Sequence, residues 1–446
     1  MQEDDDRNAG PEPSWDEINE IMRNARNNTA PGMDNIYSEF LKHASEDIKK
    51  ALTETMKEVF RKNVVPKDWS KTVQIPIPKI PNAKTTEDYR CITLCPSPYK
   101  IYAKILLKRL REQIGPIPSY QMAFQAKRSA SDQIFVLRRI LDERWRKGAK
   151  TIVMSIDIKQ AFDRVDTFKA PDILKKLGAS KALINRITVA CLSENTSIQW
   201  FGQRTTARIK NRGVKQGCPL SPELFILKLH HVMKTLQESW PELRLDQANE
   251  IHLPCVLCYA DDLVFLSENE DDIGKMLDRL IPLLNTIGLE INTSKTKILI
   301  RDPYDTHNVA PETTRKFGEY ELTLVTIMRY LGTYITSSLS RASTTSDRIK
   351  KAFKAYFHLC SFLRKHKLLW HTVKRLYRCL ITPIATYGME VSTILKQNRN
   401  SLRRMENEML LTLKELSKKE IEPKKQDERE ENNKSRRFRQ HQWKQE

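Results

Sequence analysis

Two adjacent aspartates, Asp261 and Asp262, stand between two strongly apolar runs of the sequence, LPCVLC before them and LVFL after them. Carboxylates rarely lie in such surroundings unless something binds them. Two apolar runs joined at ADD predict a β-hairpin over residues 253–266, with the carboxylates at its tip. Because aspartate is common in turns, the pair alone is compatible both with an ordinary hairpin turn and with a metal site.

A third aspartate, Asp157, ends the apolar segment TIVMSID (151–157), which reads as a short strand. Hard divalent cations such as Mg²⁺ prefer oxygen ligands. Carboxylates at two adjacent strand ends can bridge two ions roughly 3.5–4 Å apart, an arrangement used in phosphoryl chemistry. Without ions, close carboxylates repel, and at least one tends to take up a proton. Asp157 together with the Asp261–Asp262 pair therefore indicates a site for divalent ions.

The charge balance points to a polyanionic partner. Lysine and arginine number 76 against 56 aspartates and glutamates, which gives a formal net charge of +20. Nucleic acid is the first expectation and an anionic membrane surface the second. The alternative is a basic protein that has no polyanionic partner. No apolar run approaches the ~20 residues of a membrane span, and the N-terminus is acidic, unlike a secretory signal. We expect an intracellular protein, in the nucleus or the cytoplasm or both, with no membrane partner.

The eight cysteines are scattered among apolar neighbours and form no disulfide framework. Cys255 and Cys258 make a CxxC, but no second pair or nearby histidine completes a zinc site. Packing in the core is the expected role of both.

Helical and strand-like segments alternate irregularly, which predicts an α+β fold. Residues 15–62 have helical periodicity, with PGMD (31–34) as a turn between two helices, and residues 64–100 read as short strands and loops. Further helices are predicted at 101–115, 130–147, around 170–195, 222–238, 271–287 and 345–415, and short strands over 288–335. For the helix at 222–238, Ser221 is the expected N-cap and Pro222 the first helical residue. Residues 1–13 are expected to be a loose leader, and the chain from about Leu416 a solvated tail.

The blocks around the three aspartates resemble reverse transcriptases of non-LTR, LINE-type retrotransposons. Tyr259-Ala260-Asp261-Asp262 is similar to their YADD box, SIDIKQAFDRVD (155–166) to their first catalytic block, and GVKQGCPLSPELF (213–225) to the block between. Supporting blocks follow the order of the family: APGMDNIYSEFLK (30–42), IPIPKIPNAKTTEDYRCITL (75–94), QMAFQAKRSASDQIFVLRRI (121–140), GLEINTSKTKIL (288–299), RYLGTYI (329–335) and LYRCLITPIATYGMEV (376–391). The resemblance spans about residues 30–391.

The resemblance implies a right-hand polymerase fold, an α+β architecture with fingers, a palm that carries an antiparallel sheet, and a helical thumb. The expected divisions are an N-terminal leader and helix (1–29), fingers (30–150), palm (151–335), a basic helical thumb or connection (336–415) and a charged, disordered tail (416–446).

The resemblance also implies an RNA-directed DNA polymerase that extends a primer 3′-hydroxyl by two-metal-ion nucleotidyl transfer. Its expected partners are an RNA template, a DNA primer or target, and dNTPs, as in target-primed reverse transcription. The implied cofactor is Mg²⁺, with Mn²⁺ as the alternative. The implied catalytic and metal-binding residues are Asp157, Asp261 and Asp262, with the carbonyl of Ile158 as a further ligand. Asp163 and Asp166 are expected to be structural or solvated.

The residues that the resemblance assigns to the nucleotide are Lys79, Arg90, Phe162, Gln216, Gly217 and Lys295. Phe162 matches an aromatic residue that leaves no room for a 2′-hydroxyl, although core packing is the ordinary role of such a ring. Lys79 and Arg90 would grip the triphosphate, Arg90 with its planar fork, unless they are only surface charges. Gly217 would let the backbone approach the ligand closely, and Lys295 would lie near the leaving group.

Tyr259 and the YLG residues Tyr330, Leu331 and Gly332 match positions that steady the primer end. Beyond them, residues 348–378 carry ten lysines or arginines and no acid, with aromatic residues interleaved. A helix with an apolar stripe and a basic face suits contact with a template–primer backbone, and Lys350, Lys351 and Lys354 are the predicted contacts. A solvated basic face is the alternative reading.

The chain departs from the family pattern at two positions, since Ala123 and Cys91 stand where glycine is usual. Either residue can strain a turn that touches the template or the nucleotide. No endonuclease, CCHC knuckle or RNase H block is recognisable, so we expect a separate or missing endonuclease and a fragment, a truncated element copy or a derived host gene. Two alternatives stay open: a catalytically inactive nucleic-acid-binding relic or domesticated derivative, and an intron-encoded maturase-like protein.

Overall fold

The computed structural model describes residues 9–192, 195–205, 213–240, 255–305, 312–338, 342–391 and 396–417. The α-helices in these ranges are α1 (Trp15–Arg23), α2 (Ser38–His43), α3 (Glu46–Lys62), α4 (Lys67–Ser70), α5 (Ser97–Ile114), α6 (Ala130–Arg146), α7 (Ala161–Arg164), α8 (Ala170–Lys176), α9 (Lys181–Leu192), α10 (Leu220–Ser239), α11 (Asp271–Thr286), α12 (Ala342–Lys365), α13 (Trp370–Leu380), α14 (Thr382–Thr386) and α15 (Lys396–Leu416). The strands are β1 (Lys71–Pro78), β2 (Tyr89–Leu94), β3 (Thr151–Ile156), β4 (Asn195–Trp200), β5 (Gln203–Arg204), β6 (Val256–Tyr259), β7 (Asp262–Ser267), β8 (Lys297–Arg301), β9 (Thr313–Phe317), β10 (Tyr320–Leu324), β11 (Ile327–Tyr330) and β12 (Thr333–Thr336).

A six-stranded sheet in the order β6-β7-β3-β8-β10-β9 carries the predicted hairpin. β3 is antiparallel to both of its neighbours, so that Met154 lies opposite Phe265 on one side and Ile298 on the other. A strand in this central position is buried on both faces, which explains why its sequence is apolar throughout. Ile156 pairs with Leu263, and the next step of the register brings Asp157 opposite Asp262. The sheet thus places the three aspartates at one edge.

A second, four-stranded sheet has the order β2-β1-β4-β5. β1 is antiparallel to β2 and parallel to β4. The β1–β4 contact is fixed by a 2.8 Å hydrogen bond between the buried hydroxyls of Thr72 and Thr196. The prolines of β1 do not prevent pairing, since Pro76 lies opposite Cys91 and Pro78 opposite Tyr89.

The main helical core packs α1, α3, α5, α9 and α10 against one another. Its fully buried side chains include Ile18 of α1, Met56 of α3, Leu106 of α5 and Leu183 of α9. An ion pair closes its edge, because the guanidinium of Arg109 donates to Glu17 at 2.7 and 2.8 Å. One of these helices, α10, also contacts residues 157–166 beside the candidate site, through Lys228.

The chain divides into two compact units, one of residues 1–331 and 335–339 and the other of residues 332–334 and 340–446. The second unit has its own core, in which Leu363 of α12, Val373 of α13 and Leu413 of α15 are fully buried. Near its start, the guanidinium of Arg348 donates to the carbonyl of Gly332 and lies over the ring of Tyr387. The predicted domain limits within each unit stay predictions.

Residues 157–166 leave β3 and are fastened by backbone hydrogen bonds on two sides. On one side, Gly213 N donates to the Val165 carbonyl at 2.9 Å and Val214 N donates to the Phe162 carbonyl at 2.8 Å. On the other side, Lys159 N donates to the Glu290 carbonyl at 2.9 Å. Three sequence-distant loops are thereby joined into one block beside the aspartates.

Gly217 lies where the 213–217 loop meets β2. Thr93 N donates to the carbonyl of Gln216 at 2.7 Å, which brings the two backbones together. A Cβ added at Gly217 would lie 2.3 Å from the Thr93 carbonyl oxygen, and φ at Gly217 is +132°. Glycine is required here both by the backbone conformation and by the close approach.

Lys228, on α10, is buried, with 1% of its surface exposed. Its Nζ donates to the carbonyl of Asp166 at 2.6 Å and so ties the helix to the 157–166 segment. Burial lowers the pKa of Lys228 to about 8, against the opposing effects of Cys191 and Asp166. The fold therefore holds a lysine whose charged form is disfavoured.

Most predicted elements are present, and several details are corrected. The helix predicted at 222–238 begins at Leu220 with Pro219 as N-cap, so the prediction of Ser221 as N-cap is wrong. Residues 15–62 form three helices and not two. The loose leader is wrong for the described residues of 1–13, since Ala9 is buried and the Pro11 carbonyl accepts from Arg109.

The two departures from family glycines do not strain the backbone. Cys91 lies within β2, paired with Pro76. Phe124 has a positive φ, but its neighbour Ala123, at the position where glycine is usual, does not. The expectation of a strained turn at either position is therefore wrong.

Cys255 and Cys258 are both buried, in line with packing in the core. Within the described ranges, no helix is both long and apolar enough to cross a membrane. The predicted tail, 416–446, lies almost wholly outside the described residues.

Replacement of Gly217 by alanine should destabilise the protein more than the same change at Gly202. Both glycines have positive φ, but a Cβ at Gly202 would meet nothing within 4 Å. Gly202→Ala should lose about 1 kcal/mol for the left-handed backbone. Gly217→Ala should lose at least about 2 kcal/mol, because the Thr93–Gln216 hydrogen bond must also give way. Urea unfolding measures both, and equal losses would contradict the close approach.

Lys228 should make stability rise with pH above about 8. Its folded pKa of about 8 lies below the usual 10.5, so between these values the unfolded chain holds a proton that the folded chain has released. The contribution is fully present above 10.5 and lost as the pH falls to about 8. Its full size is on the order of 3 kcal/mol. Urea unfolding of the parent and of Lys228→Met from pH 7 to 10 measures it, and a difference that does not change with pH would refute it.

Candidate active site

The tip of the β6–β7 hairpin is a two-residue turn. Tyr259 pairs with Asp262, which leaves Ala260 and Asp261 as the turn residues. Ala260 has a φ of +55°, the left-handed conformation that two-residue hairpins require. The turn projects Asp261 and Asp262 beside Asp157, as the strand register indicates.

The three carboxylates repel one another. Loss of surrounding water raises the pKa of Asp261, and Asp157 adds to the rise while Arg90 opposes it. The pKa of Asp262 is raised to about 6, first by loss of water and then by Asp261 and Asp157, against the attraction of Arg329. Asp262 is exposed as a residue, yet its carboxyl group lies close enough to protein atoms to lose much of its hydration. The hairpin thus carries negative charge that nearby cations only partly offset.

A cleft of about 530 Å³ opens beside this tip. It brings together eight of the predicted site residues: Lys79, Arg90, Asp157, Ile158, Phe162, Gln216, Asp261 and Lys295. Glu87, Asp88, Asp163, Arg164 and Asn292 also line it. The cleft therefore brings carboxylates and cationic side chains together.

Backbone contacts set the positions of Asp157 and Ile158 in the cleft. Asn292 N donates to the Asp157 carbonyl at 2.7 Å, and Asp157 N donates to the hydroxyl of Thr296 at 3.4 Å. Ile158 forms an isolated antiparallel bridge with Ile291. The hydrogen bonds of that bridge are made by the flanking Asp157 and Lys159, so the bridge does not use the Ile158 carbonyl.

The aromatic ring of Phe162 forms the floor of the cleft. It stacks on Phe225 of α10, with ring centroids 4.6 Å apart and an interplanar angle of 29°. Phe225 is fully buried and Phe162 half-buried, so one face of the Phe162 ring is held by the core. Phe162 accordingly both packs and lines the cleft.

Arg90 belongs to the four-stranded sheet, and Lys79 directly follows its strand β1. Arg90 is exposed on β2, opposite Ile77 of β1. The Nζ of Lys79 donates to the Glu87 carbonyl at 2.7 Å, and Lys79 N donates to the Asp88 carbonyl at the same distance. Lys295 is exposed on the opposite loop, one turn beyond Asn292.

The donor set suits a hard divalent cation, although no finished cage is present. Among the described residues, no three His, Cys, Asp or Glu side chains lie ready to hold an ion. Mg²⁺, however, is usually held by one or two carboxylates, waters and substrate phosphates. Carboxylate and carbonyl oxygens from Asp157, Asp261, Asp262 and Ile158 fit that chemistry, and the mutual repulsion of the carboxylates would be relieved by a cation.

Gly217 lies outside this cleft and lines a second cavity of about 570 Å³. Arg26, Lys100 and Lys104 also line it, above an apolar floor that includes Pro219. Burial lowers the pKa of Lys104, and Arg26 and Lys100 lower it further. The adjacent residues Gln216 and Gly217 thus line two different cavities, one that contains carboxylates and one that contains the cationic side chains of Arg26, Lys100 and Lys104.

The residues predicted to contact the primer or template are not gathered into the cleft. Tyr259 is half-buried on β6, and Tyr330 is only 3% exposed, so its ring faces the interior. Leu331 and Gly332 form the turn after β11, both with positive φ. In the second unit, Lys350 and Lys354 are exposed on α12, whereas Lys351 pairs with Asp347 at 2.6 Å.

Sequence reasoning missed two residues that act on the site. Asn292 fixes the backbone of Asp157, and its only sequence signal was its place in the block at 288–299. Arg329 opposes the raised pKa of Asp262. Its effect could not be predicted from the spacing of residues in the sequence, because β11 approaches the hairpin only in the fold.

Comparison with known proteins agrees with this geometry. Residues 77–335, more than half of the chain, match the family model described as reverse transcriptase (RNA-dependent DNA polymerase). The chain is 25% identical over 327 residues to the transposon TX1 uncharacterized 149 kDa protein of Xenopus laevis, covering 72% of this chain and 24% of that protein. It is 22% identical over 412 residues to the RNA-directed DNA polymerase from mobile element jockey of Drosophila melanogaster, covering 87% and 42%. The chain thus spans less than half the length of these relatives.

Among solved structures, telomerase of Candida tropicalis in complex with the TWJ fragment of telomeric RNA matches 82% of this chain and 57% of that chain, with 13% identity and a TM-score of 0.43. That likeness is too low to carry an argument. The family match and the retrotransposon relatives confirm the predicted LINE-type reverse transcriptase domain and its α+β polymerase fold. The chain belongs to the reverse transcriptase (RNA-dependent DNA polymerase) family.

Proposed function

We propose that this chain is an RNA-directed DNA polymerase that extends a primer 3′-hydroxyl with dNTPs on an RNA template. The observation that carries the proposal is the cleft that brings Asp157 and Asp261 together with Lys79 and Arg90. A nucleoside triphosphate needs cations along its phosphates and a metal-binding carboxylate pair at its α-phosphate. One cleft of suitable size offers both.

Mg²⁺ is the proposed cofactor, with Mn²⁺ as an alternative, and reverse transcriptases in general use divalent ions. When bound, such ions lower the pKa of the attacking hydroxyl and neutralise the leaving pyrophosphate. Asp157 and Asp261 would hold them, with Asp262 and the Ile158 carbonyl as further oxygen ligands. Since all these groups sit on paired strands or on loops fastened by backbone hydrogen bonds, they would reach the ions with little rearrangement.

The chain's own side chains would orient the nucleotide. Arg90 can donate two parallel hydrogen bonds to phosphate oxygens, and Lys79 adds a point charge. Lys295, on the opposite side, is the proposed contact of the departing phosphates. Phe162 would lie under the sugar and exclude a 2′-hydroxyl, because its ring is backed by Phe225 and cannot retreat.

Nucleic acid would be held by two groups of cations. In the first unit, Arg26, Lys100 and Lys104 surround the cavity behind the Gln216–Gly217 turn, where unpaired template phosphates can be neutralised. In the second unit, the exposed basic residues of α12, α13 and the loop between them are Lys350, Lys354, Arg364, Lys365, Lys367, Lys374, Arg375 and Arg378. Arg348 is excluded from this role because it is buried against Tyr387.

Replacement of Asp261 by asparagine should abolish primer extension on poly(rA)/oligo(dT) with dTTP and Mg²⁺ or Mn²⁺. The change keeps the shape of the side chain but removes the charge that holds the ions, so a rate loss of at least about a hundredfold is expected. Binding of the RNA–DNA duplex, measured by fluorescence anisotropy, should not weaken.

Asp163→Asn is the matched control, since Asp163 lines the same cleft and has no proposed metal role. It should retain most of the activity. A folded parent protein that binds the duplex but does not extend the primer would replace the proposed enzyme by a nucleic-acid-binding relic.

Replacement of Phe162 by alanine should let the enzyme accept ribonucleotides. The ratio of kcat/KM for dTTP to that for UTP should fall by about tenfold or more, because the space for a 2′-hydroxyl is opened. Phe225→Leu is the control, since it loosens the stacking but leaves the Phe162 ring in the cleft. An unchanged ratio in Phe162→Ala would assign Phe162 to packing alone.

A further inference from the structure

A short segment, Tyr120–Met122, adds itself to the free edge of the catalytic hairpin. Cys258 N donates to the Tyr120 carbonyl at 2.8 Å, and Met122 N donates to the Cys258 carbonyl at 3.2 Å. These two bonds make Gln121 the parallel bridge partner of Cys258 in β6. The segment is thus held to the strand that leads into Asp261.

The side chain of Gln121 also contacts the two-residue turn of the β6–β7 hairpin. Gln121 is only 2% exposed. Its Oε1 accepts one hydrogen bond from Ala123 N at 3.0 Å and a second from Ala260 N at 3.1 Å. Because both partners are N–H donors, they fix the orientation of the amide, with the oxygen toward the turn and the nitrogen away from it.

Ala260 is the residue of the hairpin that most needs such a partner. It has a left-handed backbone, is 7% exposed and immediately precedes Asp261. In a two-residue turn, the N–H of the first turn residue has no place in the strand ladder. Without Gln121, this buried donor would lose its acceptor, and the turn could relax toward a conformation that moves the Asp261 carboxylate.

We propose that Gln121 is a positioning residue that sets the turn of the catalytic hairpin and thereby the placement of Asp261 for a divalent ion. The inference rests on the proposed polymerase function, since it concerns the same metal site. Gln121 touches neither the ion nor the nucleotide in this proposal. It acts through the backbone of Ala260.

Mn²⁺ binding by calorimetry, without substrate, tests the proposal on three variants of the full chain. Gln121→Met fills the same space but accepts no hydrogen bond, and its Mn²⁺ affinity should fall by about tenfold or more. Gln121→Glu keeps an oxygen that can accept both bonds, and it should bind Mn²⁺ within about threefold of the parent. Gln113→Met is the control. It removes a hydrogen bond of the same kind in the helical core, which Gln113 Oε1 accepts from Ser180 N at 2.8 Å.

Each result supports or overturns the proposal. If Gln121→Met and Gln121→Glu both bind Mn²⁺ like the parent, or lose affinity only in step with Gln113→Met, Gln121 merely packs and the proposal is wrong. If Gln121→Met does not fold, Gln121→Asn replaces it, since its amide is one methylene too short to reach Ala260 N. Primer extension by the parent distinguishes failure of this proposal from failure of the proposed polymerase function. If the parent extends primers and Gln121→Met binds Mn²⁺ normally, the role of Gln121 is refuted and the polymerase function is not.

Discussion

The pairing of β3 with β7 is the contact on which the candidate site depends. The Ile156–Leu263 pair puts the end of one strand beside the start of the other, so aspartates more than a hundred residues apart in sequence arrive at one edge of the sheet. Both strands are buried, and β3 is also paired with β8 on its other side, so the core and the two ladders together hold this register. The apolar core thus determines the geometry of the charged groups.

The cleft brings carboxylates and cationic side chains together, a combination that suits the proposed metal and triphosphate. Loss of hydration, and then repulsion from the neighbouring carboxylates, raises the pKa of Asp261 and of Asp262. Arg90, on β2 of the other sheet, opposes the rise at Asp261 only in part. A bound cation would relieve the repulsion among the carboxylates, and Lys79 and Arg90 would attract phosphates. Repulsion among the carboxylates destabilises the protein without a ligand. Because a bound cation removes that repulsion, the free energy recovered contributes to cation binding.

The sequence predicted those parts of the site that follow from periodicity and from motif. The hairpin over 253–266 and the strand ending at Asp157 were visible because short apolar runs bounded by polar residues read as buried strands. The start of α10 was misread, since Ser221 followed by Pro222 has the composition of a cap, whereas Pro219 takes that position. Gln121, Asn292 and Arg329 could not be assigned roles, because each acts through a tertiary contact with the backbone or charge of a distant loop. Local pattern does not encode such contacts.

Many of the contacts that hold residues 157–166 are main-chain hydrogen bonds, such as those from Gly213 to Val165 and from Lys159 to Glu290, beside the ion pairs that Lys159 and Arg164 make with Glu290. The main-chain bonds are indifferent to the side chains at most of the positions they join. Substitutions can therefore accumulate around the centre while its shape is kept, provided that the few glycines at close approaches, such as Gly217, are retained. Identity of only 25% to the TX1 protein is compatible with such contacts. The side chains around the site can change, whereas the conformation of the backbone must be kept.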